Sequence, residues 1–327
     1  MKTHYEQQLD AILNGLQIDT EQRSIMVKND QSQTGYTPET LQATLSGLIY
    51  RHFYCAGHSE PTPSDTVADQ SFIDELSRRN HSIERFDNAW SVETVDMAGI
   101  PYATKGNDRR MLYAGEFVYD SPKRGPVQAG DSVRLLMHRE HRDAQTGFYY
   151  VFGQTPGDDS TTLQTRLYFH TTPEGSLWLV DWLTQTLNTY KVPFQFKCLN
   201  HPDLYGRSDS AVLYVQKPYI NLVLDLLTDV FLELSLWLRP GVPLFTRQIA
   251  TGIGFAESPP DPGESFGTSR CGLIAQGIAG AIQSQQAANN FRAAVLTVFG
   301  QIGLSLEEPY RNPRSAYSYT FPDYSAN

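Results

Sequence analysis

The run Pro193-Phe-Gln-Phe-Lys-Cys-Leu-Asn-His-Pro-Asp-Leu-Tyr-Gly-Arg-Ser-Asp-Ser-Ala-Val-Leu-Tyr-Val-Gln-Lys217 holds two β-type segments around a turn-rich connection. In the first, Phe194, Phe196 and Cys198 fall on one face and Gln195 and Lys197 on the other, the period-2 alternation of a half-buried strand. The second, Ala211 to Val215, is rich in β-branched and aromatic residues and reads as a strand buried on at least one side. Asn200, Pro202, Asp203 and Gly206 between them are turn formers. Lys197, Arg207 and Lys217 are thereby expected near the mouths of paired strands, where three cations can hold a dianion.

Outward from this stretch, the chain alternates helical and strand-like periods. Toward the N-terminus, a strand is expected at 164–172 and a helix at about 176–190, with Leu179, Trp182, Leu183 and Leu187 on one face. A sheet-rich middle begins at Trp90, its short β-type runs broken by Gly99, Gly106 and Gly115. Before it, helices are expected at 5–18, from Thr37 (as N-cap, with Pro38 in the first turn) to about Phe53, and at 72–79. A polar loop is expected at 57–68. Toward the C-terminus, the spacing predicts helices at about 219–237, from Ser265, and at 287–304. The glycine- and proline-rich segment 239–268 shows no regular pattern and reads as a long loop able to close over a ligand. The reading is α+β: a helical N-terminal region at 1–88, a mixed sheet-and-helix domain at 89–308 and a tyrosine- and proline-rich tail at 309–327.

Composition bounds the function. With 327 residues and 40% hydrophobic content the chain can build a substantial core, and a net charge of −10 argues against a nucleic-acid surface. Cys55, Cys198 and Cys271 are isolated, so no disulfide framework or zinc motif is expected. The N-terminus lacks the apolar core of a signal peptide, and no stretch reads as a membrane span. The expected setting is cytoplasmic, with no membrane partner.

Several local motifs are weak. Gly252-Ile-Gly254 begins like a dinucleotide fingerprint, but Glu257 stands where the third glycine belongs. His138-Arg-Glu-His141 matches neither zinc-protease pattern, and Ser208-Asp-Ser210 lacks a nucleophile elbow. The cations of the second half are more informative: Lys197, Arg207, Lys217, Arg247 and Arg270 all lie beside apolar segments. Arg270 falls about one turn into a helix whose start offers free N–H groups, a combination suited to phosphate. Taken singly, each is ordinarily a solvated or ion-paired side chain, and Arg270 could pair with Glu264. For Tyr168 the ordinary role is core packing.

Three separated segments, RLYFH (166–170), PFQFKCLNHPDLYGRSDSAVLYV (193–215) and GIGFAESPPDPGESFGTSRCGLIAQGI (252–278), occur in the order seen in the HopA effector-like family. The chain resembles that family from about Leu9 to Leu304. Its members are type III secreted effectors of plant pathogens, or stand beside ribosomal peptide modification genes in bacteria. The resemblance implies a lyase: a kinase-like partner phosphorylates Ser or Thr of a precursor peptide, and the lyase eliminates phosphate to leave dehydroalanine or dehydrobutyrine. More distant phosphothreonine lyase effectors carry a Lys-x-His strand motif, a catalytic Lys, then Arg, Tyr, Lys and a late Arg. Arg166-x-Tyr168, Lys197, Arg207, Tyr214, Lys217 and Arg270 follow that order, with Arg166 and Tyr168 replacing the Lys and His.

On this resemblance Lys197 is the base, a role that requires its neutral form, which nearby cations and partial burial favour. Arg166, Arg207, Lys217 and Arg270 bind phosphate; Tyr168, with Tyr214 and His170 as alternatives, protonates the leaving oxygen or stabilises the developing enolate. No metal or organic cofactor is implied. The rival expectation is a non-catalytic effector-like module that binds a phosphopeptide or protein. A phosphohydrolase is less well matched, for want of a nucleophile or metal-ligand set.

Overall fold

The two runs of the opening stretch are adjacent central strands. In the computed structural model, which describes residues 2–28, 33–55, 67–157, 164–261, 263–286 and 290–324, they are β12 (Phe194–Leu199) and β13 (Ala211–Gln216). They belong to a seven-stranded antiparallel sheet of order β14-β15-β11-β13-β12-β10-β9. Its other members are β9 (Glu140–Gln145), β10 (Phe148–Phe152), β11 (Gln164–Phe169), β14 (Arg247–Ala250) and β15 (Ile253–Glu257). Phe196, Leu213, Leu167 and Phe255, all fully buried, line up across four strands on one face. Burying each such side chain is worth about 1.5–3 kcal/mol, so the register is strongly fixed.

Helices complete the main body: α1 (His4–Gly15), α2 (Leu41–Ile49) with a π-helical extension (Tyr50–Tyr54), α3 (Gln70–Arg79), α4 (Pro173–Thr189), α5 (Lys217–Asp229), α6 (Phe231–Ser235), α7 (Phe266–Gln283) and α8 (Phe291–Ile302). α4 starts at an N-cap where the Thr172 hydroxyl accepts from Gly175 N–H, with Pro173 in the first turn, and α7 starts likewise at Ser265. The chain is thus α+β with a helical N-terminal portion. That portion also carries a small sheet of β1 (Leu16–Asp19), β2 (Ser24–Val27) and β3 (Gln33–Gly35).

A five-stranded antiparallel sheet, order β6-β5-β4-β8-β7, stands apart with its own small core around Trp90, Val92 and Val133. Its strands are β4 (Arg85–Val95), β5 (Pro101–Lys105), β6 (Asp108–Met111), β7 (Phe117–Tyr119) and β8 (Ser132–Met137). The structure therefore divides the chain differently from the expected boundary at 88. Leu9, Ile49 and Leu76 of the N-terminal helices share one core with the seven-stranded sheet, and Tyr310 and Tyr324 of the C-terminal segment are buried in the same core.

Three local expectations are corrected, and two fall partly outside the described residues. Helix α2 begins at Leu41 without a side-chain cap, because Thr37 and Thr40 bond each other in the preceding turn. The expected 219–237 helix breaks at Val230 into α5 and α6. Of the expected loop at 57–68 and the start of the helix at 287–304, residues 57–66 and 287–289 lie outside the described residues. The third correction is 239–268: it contains the hairpin β14–β15, and β15 is an interior strand with all five residues buried. A strand paired on both sides cannot fold over a ligand.

A cationic, tyrosine-lined candidate site

On the face of the seven-stranded sheet opposite Phe196 and Leu213, the register lays out two rows. Phe152, Gln195, Tyr214, Arg166 and Ala256 form one, and Tyr150, Lys197, Val212, Tyr168 and Gly254 the next. Lys197 and Tyr168 thus face each other across the small Val212, about 10 Å apart at the backbone for two strand spacings.

Lys197 is half-buried. Its ammonium lies 4.3 Å from the Phe148 ring centre and 5.8 Å from that of Tyr150, and donates to Gln145 Oε1 at 3.1 Å. Among the described residues, no carboxylate comes within ion-pair distance of it. Arg207 enters from the β12–β13 connection and donates from Nε and Nη2 to the two oxygens of Asp209, at 2.9 Å each. Burial works to raise the Asp209 carboxyl, but Arg207, with help from Lys197, holds it below the usual carboxylate range.

Arg166 lies deeper, only 8% exposed. Its guanidinium stacks 5.2 Å from the Tyr214 ring centre, and donates to Ser258 Oγ at 2.9 Å and the Glu264 carbonyl at 3.2 Å. Tyr168 lies beside it, close enough to Arg166 and Tyr54 for both to bear on its phenol. Burial raises the Tyr168 phenol above its ordinary value, although Arg166 opposes this, so it stays protonated at neutral pH and able to donate.

A lid of aromatic residues comes from the N-terminal region. Tyr50 and Tyr54 stack with ring centres 5.1 Å apart. Helix α7 crosses close to them at Gly267, where a Cβ would fall 2.5 Å from the Tyr54 ring. The lack of a side chain at Gly267 lets α7 and the π-helical turn meet over the sheet.

The structure brings together Lys197, Arg207, Arg166, Tyr168 and Tyr214. Two other expected site residues, Lys217 and His170, are placed elsewhere, and Arg270, although close enough for Tyr168 and Tyr54 to bear on its charge, is committed to other partners. Lys217 is buried on the opposite face of the sheet, 3.1 Å from Glu257, because it opens α5, which packs against the core side. Arg270 is 2% exposed and spends its donors on the carbonyls of Pro309 and Arg311 and on Ser269 Oγ. Burial pushes its guanidinium down to about 10, which leaves it charged at neutral pH. It fastens the C-terminal segment, and the nearby charge of Glu264 acts on it without an ion pair between the two. His170 lies past the end of β11, with Nδ1 at 2.9 Å from the Pro240 carbonyl oxygen. Arg247, similarly, reaches Tyr310 on the far face.

Tyr50, Tyr54, Tyr150 and Asp209 were not singled out by the sequence. Tyr150 was legible in principle, since Phe148, Tyr150 and Phe152 alternate onto the face of Lys197. The two lid tyrosines reach the site only through tertiary packing. Among the described residues no cluster of three or more His, Cys, Asp or Glu is placed to hold a metal ion. None of their helices is long and apolar enough to cross a membrane.

The fold and site define a mixed α+β protein that carries a cationic, tyrosine-lined site on an antiparallel sheet. Residues 139–311 match the HopA1 effector protein family, and the chain belongs to that family. The matched span contains the seven-stranded sheet, while the five-stranded sheet precedes it. Two solved structures are similar to this chain. One is an effector protein from Pseudomonas syringae pv. tomato strain DC3000, with 15% identity, covering 83% of this chain and 99% of that one at a TM-score of 0.41. The other is an effector protein from Pseudomonas syringae pv. syringae strain 61, with 16% identity, 85% and 99% coverage and a TM-score of 0.42. No curated protein matches the chain.

Proposed function

We propose that this protein is a phosphoserine/phosphothreonine lyase acting on a precursor peptide phosphorylated by a kinase-like partner. The observation that carries the reading is Lys197: a half-buried ammonium with no carboxylate at ion-pair distance among the described residues, on one sheet face with Arg166, Tyr168 and Tyr214. In the elimination, neutral Lys197 takes the Cα proton, the C–H electron pair becomes the Cα=Cβ bond, and the Cβ–O bond breaks to release phosphate. The departing oxygen takes a proton from Tyr168 or Tyr214. Arg207 and the deeper charge of Arg166 stabilise the phosphate as its bond to carbon breaks. The product is dehydroalanine or dehydrobutyrine, and the chemistry needs neither metal nor organic cofactor.

A second reading, a phosphopeptide-binding module without turnover, is favoured by one feature: Arg207 is already neutralised by Asp209. Incubation with phosphoserine and phosphothreonine peptides, followed by mass spectrometry, separates the two. Loss of phosphoric acid with gain of a thiol-reactive double bond, absent in Lys197→Ala, is expected. Binding without mass change, also in the presence of the kinase and its precursor peptide, would establish the module instead.

A further inference from the structure

Tyr214 has a second setting. Besides stacking on Arg166 it lines a cleft of about 490 Å³ between the seven-stranded and five-stranded sheets. One wall is the site face itself: Gln164 on β11, Gln216 on β13 and Gln195 on β12, with Gln164 opposite Gln216 and Gln195 opposite Tyr214 in register. Gln195 is two residues from Lys197 on the same face, roughly 7 Å along the strand. An extended chain with its phosphorylated residue at Lys197 therefore runs straight into the cleft. Gln164 Oε1 already accepts from Ser258 Oγ at 2.9 Å, so the amide to reach a peptide backbone is that of Gln195, which carries both donors and an acceptor.

The other wall is mixed in charge, with one more cation than carboxylate. Arg85, Lys105 and Arg110 line it, against Asp87 and Asp108. Asp87 is already engaged, accepting from Lys105 at 2.6 Å and from the Trp90 indole at 2.8 Å. Arg85 has no carboxylate within ion-pair distance among the described residues, and its buried Nε has no acceptor. A buried guanidinium nitrogen without a partner is a standing penalty that an incoming anion relieves.

We propose that this cleft binds the extended segment flanking the phosphorylated residue and selects an acidic side chain there, received by Arg85. The proposal rests on the phosphopeptide reading of the neighbouring site but not on turnover. It also gives the five-stranded sheet a role as the selective wall of a groove whose other wall is the family's sheet.

Fluorescein-labelled synthetic phosphothreonine peptides of equal length, with glutamate-rich or lysine-rich flanks, provide the test by fluorescence anisotropy against the full chain. The acidic peptide is expected to bind at least tenfold more tightly, and Arg85→Glu to abolish or invert that preference. Gln195→Trp, which fills the cleft and leaves the Arg85 charge in place, is expected to weaken both peptides while thermal melting confirms folding. Equal affinity for the two peptides, or a preference unchanged in a folded Arg85→Glu variant, overturns the proposal. Flank-selective binding without elimination would sink the lyase reading and keep the groove. Elimination at equal kcat/KM from both peptides and from a blocked single phosphothreonine would do the reverse.

Discussion

Lys197 and Asp209 make opposite demands on the same site. Lys197 as a base must give up its proton, and Lys197→Ala is expected to lower kcat by about 10²–10⁴, the usual worth of a positioned acid or base. Lys197→Arg is not expected to restore activity, since a guanidinium stays charged. An arginine variant with near-native kcat would remove Lys197 from the base role. Asp209 holds Arg207 in a two-pronged pair in which Arg207 is 15% and Asp209 10% exposed at the side chain. Breaking one partner of such a pair leaves a nearly buried charge alone, at a cost of about 3–5 kcal/mol when burial is complete and less here. Asp209→Asn is therefore expected to lower Tm, while freeing Arg207 for an anion. Inorganic phosphate should then raise the Tm of the variant more than that of the native chain, because a ligand stabilises in proportion to its affinity for the folded state. An equal rise in both would mean that Arg207 does not face the anion. The strand alternation put Lys197 and Gln195 on one face, as the register has them, and the order of motifs named Arg166, Arg207 and Tyr214, which the sheet and its β12–β13 connection carry. It could not show that Arg270 and Lys217 are spent on other partners, because their oxygen partners lie 39 to 41 residues away at Pro309 and Arg311, and 40 away at Glu257.

At the level of elements, periodicity disclosed what it physically encodes. Amphipathic helices and half-buried strands leave a period in the sequence, and α1, α4, α7 and β12 were legible for that reason. Strand β15 was not: Ile253 to Glu257 is buried on both faces, so it has no alternation, and its glycines read as loop. Those glycines answer to packing. Gly252 turns the β14–β15 hairpin at φ +72°, and a Cβ there would lie 2.5 Å from the Arg239 carbonyl oxygen. Gly252→Ala is expected to destabilise by about 1–3 kcal/mol, from left-handed strain added to the clash. A denaturant midpoint equal to the native one would mean that the hairpin tolerates a different turn. The π-helical turn at Tyr50–Tyr54 escaped sequence reading for another reason: its pattern continues that of α2, and only the contact with α7 reveals its place over the site.

Across the whole molecule, the C-terminal segment read as a tail turns out to close the core. Glu257, fully buried at the end of β15, accepts from the hydroxyls of Ser315 and Tyr319 and the backbone N–H of Asn312, and pairs with Lys217. Arg270 holds the same segment through the Pro309 and Arg311 carbonyls, so one buried anion and one buried cation fasten it from two sides. Burial alone would raise the Glu257 carboxyl, but these hydrogen bonds and the Lys217 ammonium outweigh it and hold the group below its ordinary 4.5. A carboxyl depressed in the folded state stabilises fully above its unfolded pKa, and that contribution is lost as pH falls through the lower folded value. The native chain should therefore begin to lose its hold on residues 309–324 as pH falls below 4.5 and lose it in full once pH passes the lower folded value. Glu257→Gln, which leaves Lys217 buried and unpaired, should show a lower Tm at pH 7, with the gap to the native chain narrowing as the pH is taken below 4.5. Thermal melts of both proteins from pH 7 to pH 3, with limited proteolysis to report release of the C-terminal segment, test this. A gap that stays constant with pH would show that Glu257 holds the segment by shape rather than by charge.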